Sequence, residues 1–135
     1  MIKAYDNKKK MFFALKCIDV DENPEEYEVA ANEVEILKKL SNCPNIVKYN
    51  DHFLEMKNDT QYFIIKMQYA NCNVAEILNV RELNQEKYLF QEALFLFISI
   101  AKGILHAKTK FIAHRDIKLQ NILVEISSRT YLIAD

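Results

Sequence analysis

The octet His-Arg-Asp-Ile-Lys-Leu-Gln-Asn, residues 114–121, constrains this chain more than any other stretch. It gathers His114, Arg115, Asp116, Lys118 and Asn121 within one short loop. A long apolar helical pattern precedes it and the apolar run Ile122-Leu123-Val124 follows. The octet therefore reads as a polar loop held between two buried elements, a setting in which catalytic groups are commonly presented. The 135 residues, 50% hydrophobic and 27% charged, suffice for one globular domain with a real core.

The formal net charge of −1 gives no reason to expect a nucleic-acid or membrane surface. The one charge run, Lys8-Lys9-Lys10, reads as a solvated turn. Cys17, Cys43 and Cys72 are odd in number and lack metal-ligand spacing, so they read as free thiols in a reducing, cytoplasmic compartment. Met1-Ile2-Lys3-Ala4 does not open a signal peptide. The longest apolar run, Ala93 to Ile98, is too short to span a bilayer. A single glycine, Gly103, and two prolines stand out. Either Asn and Asp make the turns, or a glycine-rich part is missing.

Residues 1–5 read as a strand end, Asp6-Asn7-Lys8 as a turn, and Met11 to Ile18 as a strand apolar on both faces. Lys16 interrupts that strand. On an edge it snorkels to water; inside a sheet it needs a carboxylate partner or an anionic ligand. A helix capped by Asn23, with Pro24 in its first turn and Glu26 three residues after the cap, runs to about Leu40. Its apolar stripe includes Val29, Ile36 and Leu40, and Glu33 falls on the same stripe while Glu28 and Glu35 point away. Glu33 is the natural partner for Lys16.

Residues 46–49, 52–56 and 61–69 are further strands, with a hairpin turn at Lys57-Asn58-Asp59-Thr60. A short helix, Val74 to Leu78, is capped by Asn73 with Glu76 in the capping-box position. Residues 79–88 read as a polar loop. From about Leu89 to Ala107 comes a helix with Phe90, Leu94, Phe97, Ala101, Ile104 and Leu105 at helical spacing, apolar nearly all round at its middle. Two strands, 122–126 and 131–134, close the chain around a turn at Ser127-Ser128-Arg129.

The octet resembles the catalytic loop of protein kinases, H-R-D-x-K-x-x-N. Five specified residue types arise by chance with odds on the order of 10⁻⁵ at average composition, which sets this match apart from a lone glycine motif. Phe13-Ala14-Leu15-Lys16 resembles V-A-I-K, and Tyr-Leu-Ile-Ala-Asp ends on an aspartate similar to that of D-F-G. The chain is identified as a member of the Ser/Thr protein kinase type. The resemblance implies an α+β kinase-like fold, partial: a β-rich N-lobe over about 1–69, a hinge at 70–73, and the start of the helical C-lobe over 74–135.

The resemblance also implies roles. Asp116 is the catalytic base and Lys118 the cation that meets the γ-phosphate. Asn121 and Asp135 offer oxygen ligands to Mg²⁺. Lys16 holds the α- and β-phosphates of ATP and Glu33 fixes Lys16. Met67 is the gatekeeper, Gln68-Tyr69-Ala70 the hinge with the Ala70 backbone meeting the base, and Ala14 with Leu123 sandwich the adenine. Arg115 resembles the arginine that pairs with a phosphorylated activation loop. His114 is structural, and His52 and His106 are ordinary hairpin and helix residues. Lys118 in this loop suggests a protein Ser/Thr hydroxyl as acceptor.

One departure is large. The G-x-G-x-x-G-x-V loop over the ATP phosphates is absent, and counting back from Lys16 puts Met1 near the valine that closes it. The activation loop and the rest of the helical lobe are absent too. The expectation is an ATP- and Mg²⁺-dependent Ser/Thr kinase fragment with little activity alone, and an apolar helix left exposed. The alternative is a non-catalytic kinase-like protein that binds a nucleotide, a partner kinase or a regulatory subunit.

Overall fold

A computed structural model describes residues 1–21, 24–87 and 89–134. It divides into two compact bodies: Met1–Ser41 with Lys48–Tyr69, and Asn42–Val47 with Ala70–Asp135. The elements are β1 (Ile2–Asp6), β2 (Met11–Asp19), α1 (Pro24–Leu40), β3 (Tyr49–Lys57), β4 (Thr60–Gln68), β5 (Cys72–Asn73), α2 (Val74–Leu83), α3 (Phe90–Thr109), β6 (Ile122–Glu125) and β7 (Thr130–Ile133).

The first body is a four-stranded antiparallel sheet, ordered β1-β2-β4-β3, with α1 alongside. Its β3–β4 turn places Asn58 at φ 50° and Asp59 at φ 62°, the two left-handed positions of a tight hairpin turn. Strand 46–49 of the sequence reading does not form. Residues Asn42–Val47 belong to the second body, where Val47 N–H donates to the Ile133 carbonyl at 2.9 Å and Ile133 N–H to that of Asn45 at 2.9 Å.

In α1, acids Glu25 and Glu26 open the helix and Lys38 and Lys39 close it, matching its dipole at both ends. The expected cap, Asn23, lies outside the described residues. The buried stripe corrects the sequence reading: it runs through Ala30, Val34, Leu37 and Leu40, while Val29 is 62% exposed. Small Ala30 is fully buried on this stripe, which the spacing of large apolar residues alone does not reveal. Glu33 still lies on this stripe, three residues after Ala30 and four before Leu37.

The second body is built on a three-stranded sheet, β5-β6-β7. Helix α2 is longer than expected, ten residues ending at Leu83, because Asn84, rather than a break after Leu78, closes it. Its start matches the reading: Asn73 accepts from the Glu76 N–H and Glu76 accepts from the Asn73 N–H, each at 2.9 Å.

Helix α3 packs on β7 through its small residues. Ser99, Gly103 and Ala107 are buried, while Phe90, Phe97 and Leu105 are 79%, 69% and 60% exposed. A Cβ on Gly103 would stand 2.6 Å from Ile133 Cδ1 and 3.1 Å from the Asn45 carbonyl. The one glycine therefore serves close packing rather than a turn. Turns use Asn58 and Asp59 and also Lys10, Gln85, Phe111 and Arg129, all at positive φ, and Arg115 in the irregular octet shares that conformation. By length and composition α3 is apolar enough to cross a membrane, a property the six-residue run did not suggest.

Candidate functional site

Lys16 lies on β2, which pairs with β1 on one side and β4 on the other. It is thus an internal lysine, and it has the carboxylate such a position demands. Its ammonium donates to both oxygens of Glu33, at 2.9 and 2.8 Å. Both side chains keep partial exposure, 30% and 24%. In the same body Ala14 stands opposite Lys3 on β1 and Met67 on β4, and Met67 is buried.

In the second body the octet is an irregular segment ending in a 3₁₀ turn, Leu119–Asn121. Asn121 is 7% exposed. Its amide nitrogen donates to the Asp116 carbonyl at 3.0 Å and to the Asp116 carboxylate at 2.9 Å. Lys118 donates to the same carboxylate oxygen, Oδ2, at 2.7 Å. That bond, more than any other interaction, holds the Asp116 carboxyl below the ordinary carboxylate range. The group is charged at neutral pH and open to solvent, so it can receive a proton from an incoming hydroxyl.

Two further contacts fix the loop. The His114 ring, half-buried, meets the Ala134 carbonyl through Nε2 at 3.1 Å, in keeping with a structural histidine. Ala134 N–H donates to the Asn121 carbonyl at 2.9 Å. Arg115 is held at φ 66°, a conformation that costs a non-glycine residue about 1 kcal/mol and that clusters at functional sites. Leu123 is half-buried on β6, opposite Asn73 of β5 and Leu132 of β7, and Ala70 is half-buried just before β5. Asp135 lies outside the described residues.

The structure thus brings Lys16 to Glu33 and Ala14 to Met67 in one body, and Asp116 to Lys118 and Asn121 in the other. Among the described residues are also pairings that the sequence reading did not name. Lys66 donates to Asp6 at 2.9 Å while lying 4.0 Å from the Phe13 ring centre. Arg81 grips Glu92 with two bonds, at 2.7 and 2.9 Å. Lys3 lies over the rings of Phe12 and Tyr69, at 4.0 and 4.4 Å. Only Glu92 carried a local signal, an acid three residues after the helix-opening Leu89.

The protein kinase domain family matches this chain over residues 1–135. A Dictyostelium discoideum protein named a probable serine/threonine-protein kinase is 31% identical over 133 residues, 96% of this chain and 12% of that protein. Serine/threonine-protein kinase 1 of Arabidopsis thaliana is 33% identical over 123 residues, 90% of this chain and 14% of that protein. Serine/threonine-protein kinase Nek8 of Danio rerio is 35% identical over 124 residues, 90% of this chain and 17% of that protein. The chain spans less than a fifth of the length of these three relatives. With the match running through the octet, the Lys16–Glu33 pair and every element between them, the chain belongs to the protein kinase domain family.

Proposed function

We propose that this chain carries residues of an ATP-dependent protein serine/threonine kinase that moves the γ-phosphate of Mg-ATP to a protein Ser/Thr hydroxyl. The observation that carries the reading is the Asp116 carboxylate, charged, solvent-facing and oriented by Lys118 and the buried Asn121. In this role Asp116 orients the acceptor hydroxyl and takes its proton. Lys118, which bonds to Asp116, is the proposed cation for the γ-phosphate. Phosphoryl transfer asks for positioning and charge neutralisation more than covalent chemistry, and these groups supply both.

The residues suit the cofactors. Among the described residues the Asn121 side-chain oxygen accepts no hydrogen bond, since the contacts run through its nitrogen. A hard oxygen donor of that kind fits Mg²⁺, and Asp135 is proposed as the second ligand. Bound Mg²⁺ would neutralise phosphate charge. Lys16, steadied by Glu33, is the proposed cation for the α- and β-phosphates. Ala14, Met67, Ala70 and Leu123 are proposed for adenine, all apolar and none fully exposed. Cys17, Cys43 and Cys72 are unpaired, which supports a reducing, cytoplasmic setting.

The test is transfer of labelled phosphate from Mg-ATP to a mixed protein substrate by a kinase domain that contains this segment, because the segment alone is expected to have little activity. Asp116→Asn is expected to lower the rate by about 10²–10⁴-fold while leaving nucleotide affinity unchanged. Equal transfer by that variant overturns the assignment of the base. Mg-ATP binding with no transfer by the parent protein would favour the non-catalytic reading.

A further inference from the structure

Lys3 stands on β1 with Ala14 of β2 opposite it, and Met67 of β4 stands opposite Ala14. Residues paired across strands share a face of the sheet, and so do residues two apart on one strand. Lys3, Phe12, Ala14, Lys16 and Met67 therefore lie on one face, the face proposed above for the nucleotide. Tyr69 joins them just beyond the end of β4. Its ring centre lies 5.9 Å from that of Phe12, and the Tyr5 ring lies 5.0 Å from Phe12 in turn.

The Lys3 ammonium lies 4.0 Å from the Phe12 ring centre and 4.4 Å from that of Tyr69. A lysine that only covers apolar surface turns its ammonium to water. Here the ammonium itself rests on two rings. In the sheet order β2 lies between β1 and β4, so the contact bridges two strand spacings, about 10 Å at the backbones. Tyr69 is half-buried and is the last residue of the first body. The next residue is Ala70, whose backbone is proposed to meet the base.

We propose that Lys3 is a positioning residue for adenine, a role that rests on the nucleotide reading above. Held against Phe12 and Tyr69, it clamps Tyr69 to the sheet and so fixes the backbone that leads into Ala70. A backbone ordered before the ligand arrives need not be ordered on binding, and affinity rises accordingly. The clamp also draws Lys3 toward the rings and off the surface of Ala14, its cross-strand partner. The phosphates are too far along the strand for the same cation. Lys16, proposed for them, lies four residues from Phe12, about 13 Å along β2. Lys3 thus acts on the base side of the site and Lys16 on the phosphate side.

Binding of adenosine and of Mg-ATP is measured by calorimetry on a kinase domain that contains this segment. Lys3→Met is expected to raise both dissociation constants by the same factor, about two- to fivefold, the size of one exposed cation–π contact. Lys3→Arg is expected to keep both near the parent values, because a guanidinium also stacks on aromatic faces. In a Tyr69→Leu background, Lys3→Met is expected to change neither constant further. A lysine that serves stability alone would lower the melting midpoint and leave both constants unchanged, which overturns the proposal. So does weakening of Mg-ATP alone, the mark of a charge effect on the phosphates, or an undiminished effect in the Tyr69→Leu background. Lys16→Met separates this role from the reading beneath it, since it is expected to weaken Mg-ATP and spare adenosine. If it does so while Lys3→Met changes nothing, only the clamp falls. If the parent domain binds neither compound, the nucleotide reading falls and the clamp with it.

Discussion

Asn121 donates both to the backbone carbonyl of Asp116, at 3.0 Å, and to its carboxylate, at 2.9 Å. One buried amide thereby fixes the main chain and the side chain of the proposed base together. Asn121→Ala removes both bonds and leaves the Asp116 carbonyl unserved by this donor. A loss of about 1–3 kcal/mol in denaturant unfolding is expected, since a buried polar partner is deleted rather than replaced. An unchanged midpoint would show that the loop does not depend on this contact.

Lys118 dominates the lowering of the Asp116 carboxyl, helped by the Asn121 amide. Because the folded-state value lies below the ordinary 3.8, the stabilisation from this group is complete above about pH 4 and is lost as pH falls through the lowered value. Lys118→Met is expected to move the Asp116 titration upward, toward the ordinary range. Carbon-13 NMR of the carboxyl reads this directly; the same titration in both proteins would remove Lys118 from the account.

The Lys16–Glu33 pair joins an internal strand to the buried stripe of α1. Either single replacement, Lys16→Met or Glu33→Gln, removes this part-buried ion pair and is expected to cost about 1 kcal/mol. A double-mutant cycle should give a coupling energy above the few tenths typical of exposed pairs. Mg-ATP binding by calorimetry is expected to weaken more in Lys16→Met than in Glu33→Gln, because only the former deletes the proposed phosphate contact.

Glu92 is held at about 2, well below its ordinary 4.5, chiefly by the two bonds from Arg81, with the Leu89 N–H adding a third. Its contribution is therefore complete above about pH 4.5 and disappears as pH falls toward 2. Arg81→Met should shift the onset of acid unfolding upward, measured by circular dichroism against pH. An identical acid profile would mean that the link between α2 and α3 carries no stability.

Gly103→Ala sets two effects against each other. Alanine favours the helix by about 1 kcal/mol. The added Cβ meets Ile133 Cδ1 at 2.6 Å and a backbone carbonyl at 3.1 Å. The side chain can rotate away but the backbone cannot, so net destabilisation of about 1–2 kcal/mol is expected in thermal or urea melts. Stabilisation would show that α3 can shift on β7 without cost.

The sequence by itself determined what is local. The Asn58-Asp59 turn, the Asn73–Glu76 capping box and the succession of strands and helices each depend on residues a few positions apart. Backbone geometry and short-range hydrogen bonds shape the cap and the turn from within a few positions. The catalytic-loop spelling is local too, which made the family legible. Apolar spacing through Val29 selects Glu33, yet Val29 is exposed, because spacing of large apolar residues marks a face without telling that a small residue such as Ala30 is the one buried on it.

Only the tertiary structure decided what depends on distant partners. It ran α2 on to Leu83, assigned 42–47 to the second body, joined Asp6 to Lys66 across sixty positions, and turned α3 so that Gly103 rather than Phe97 faces inward. A helix apolar on every side has no periodicity to orient it. Its inward face was set by how closely β7 and the Asn45 carbonyl could approach, and that is a property of packing rather than of composition.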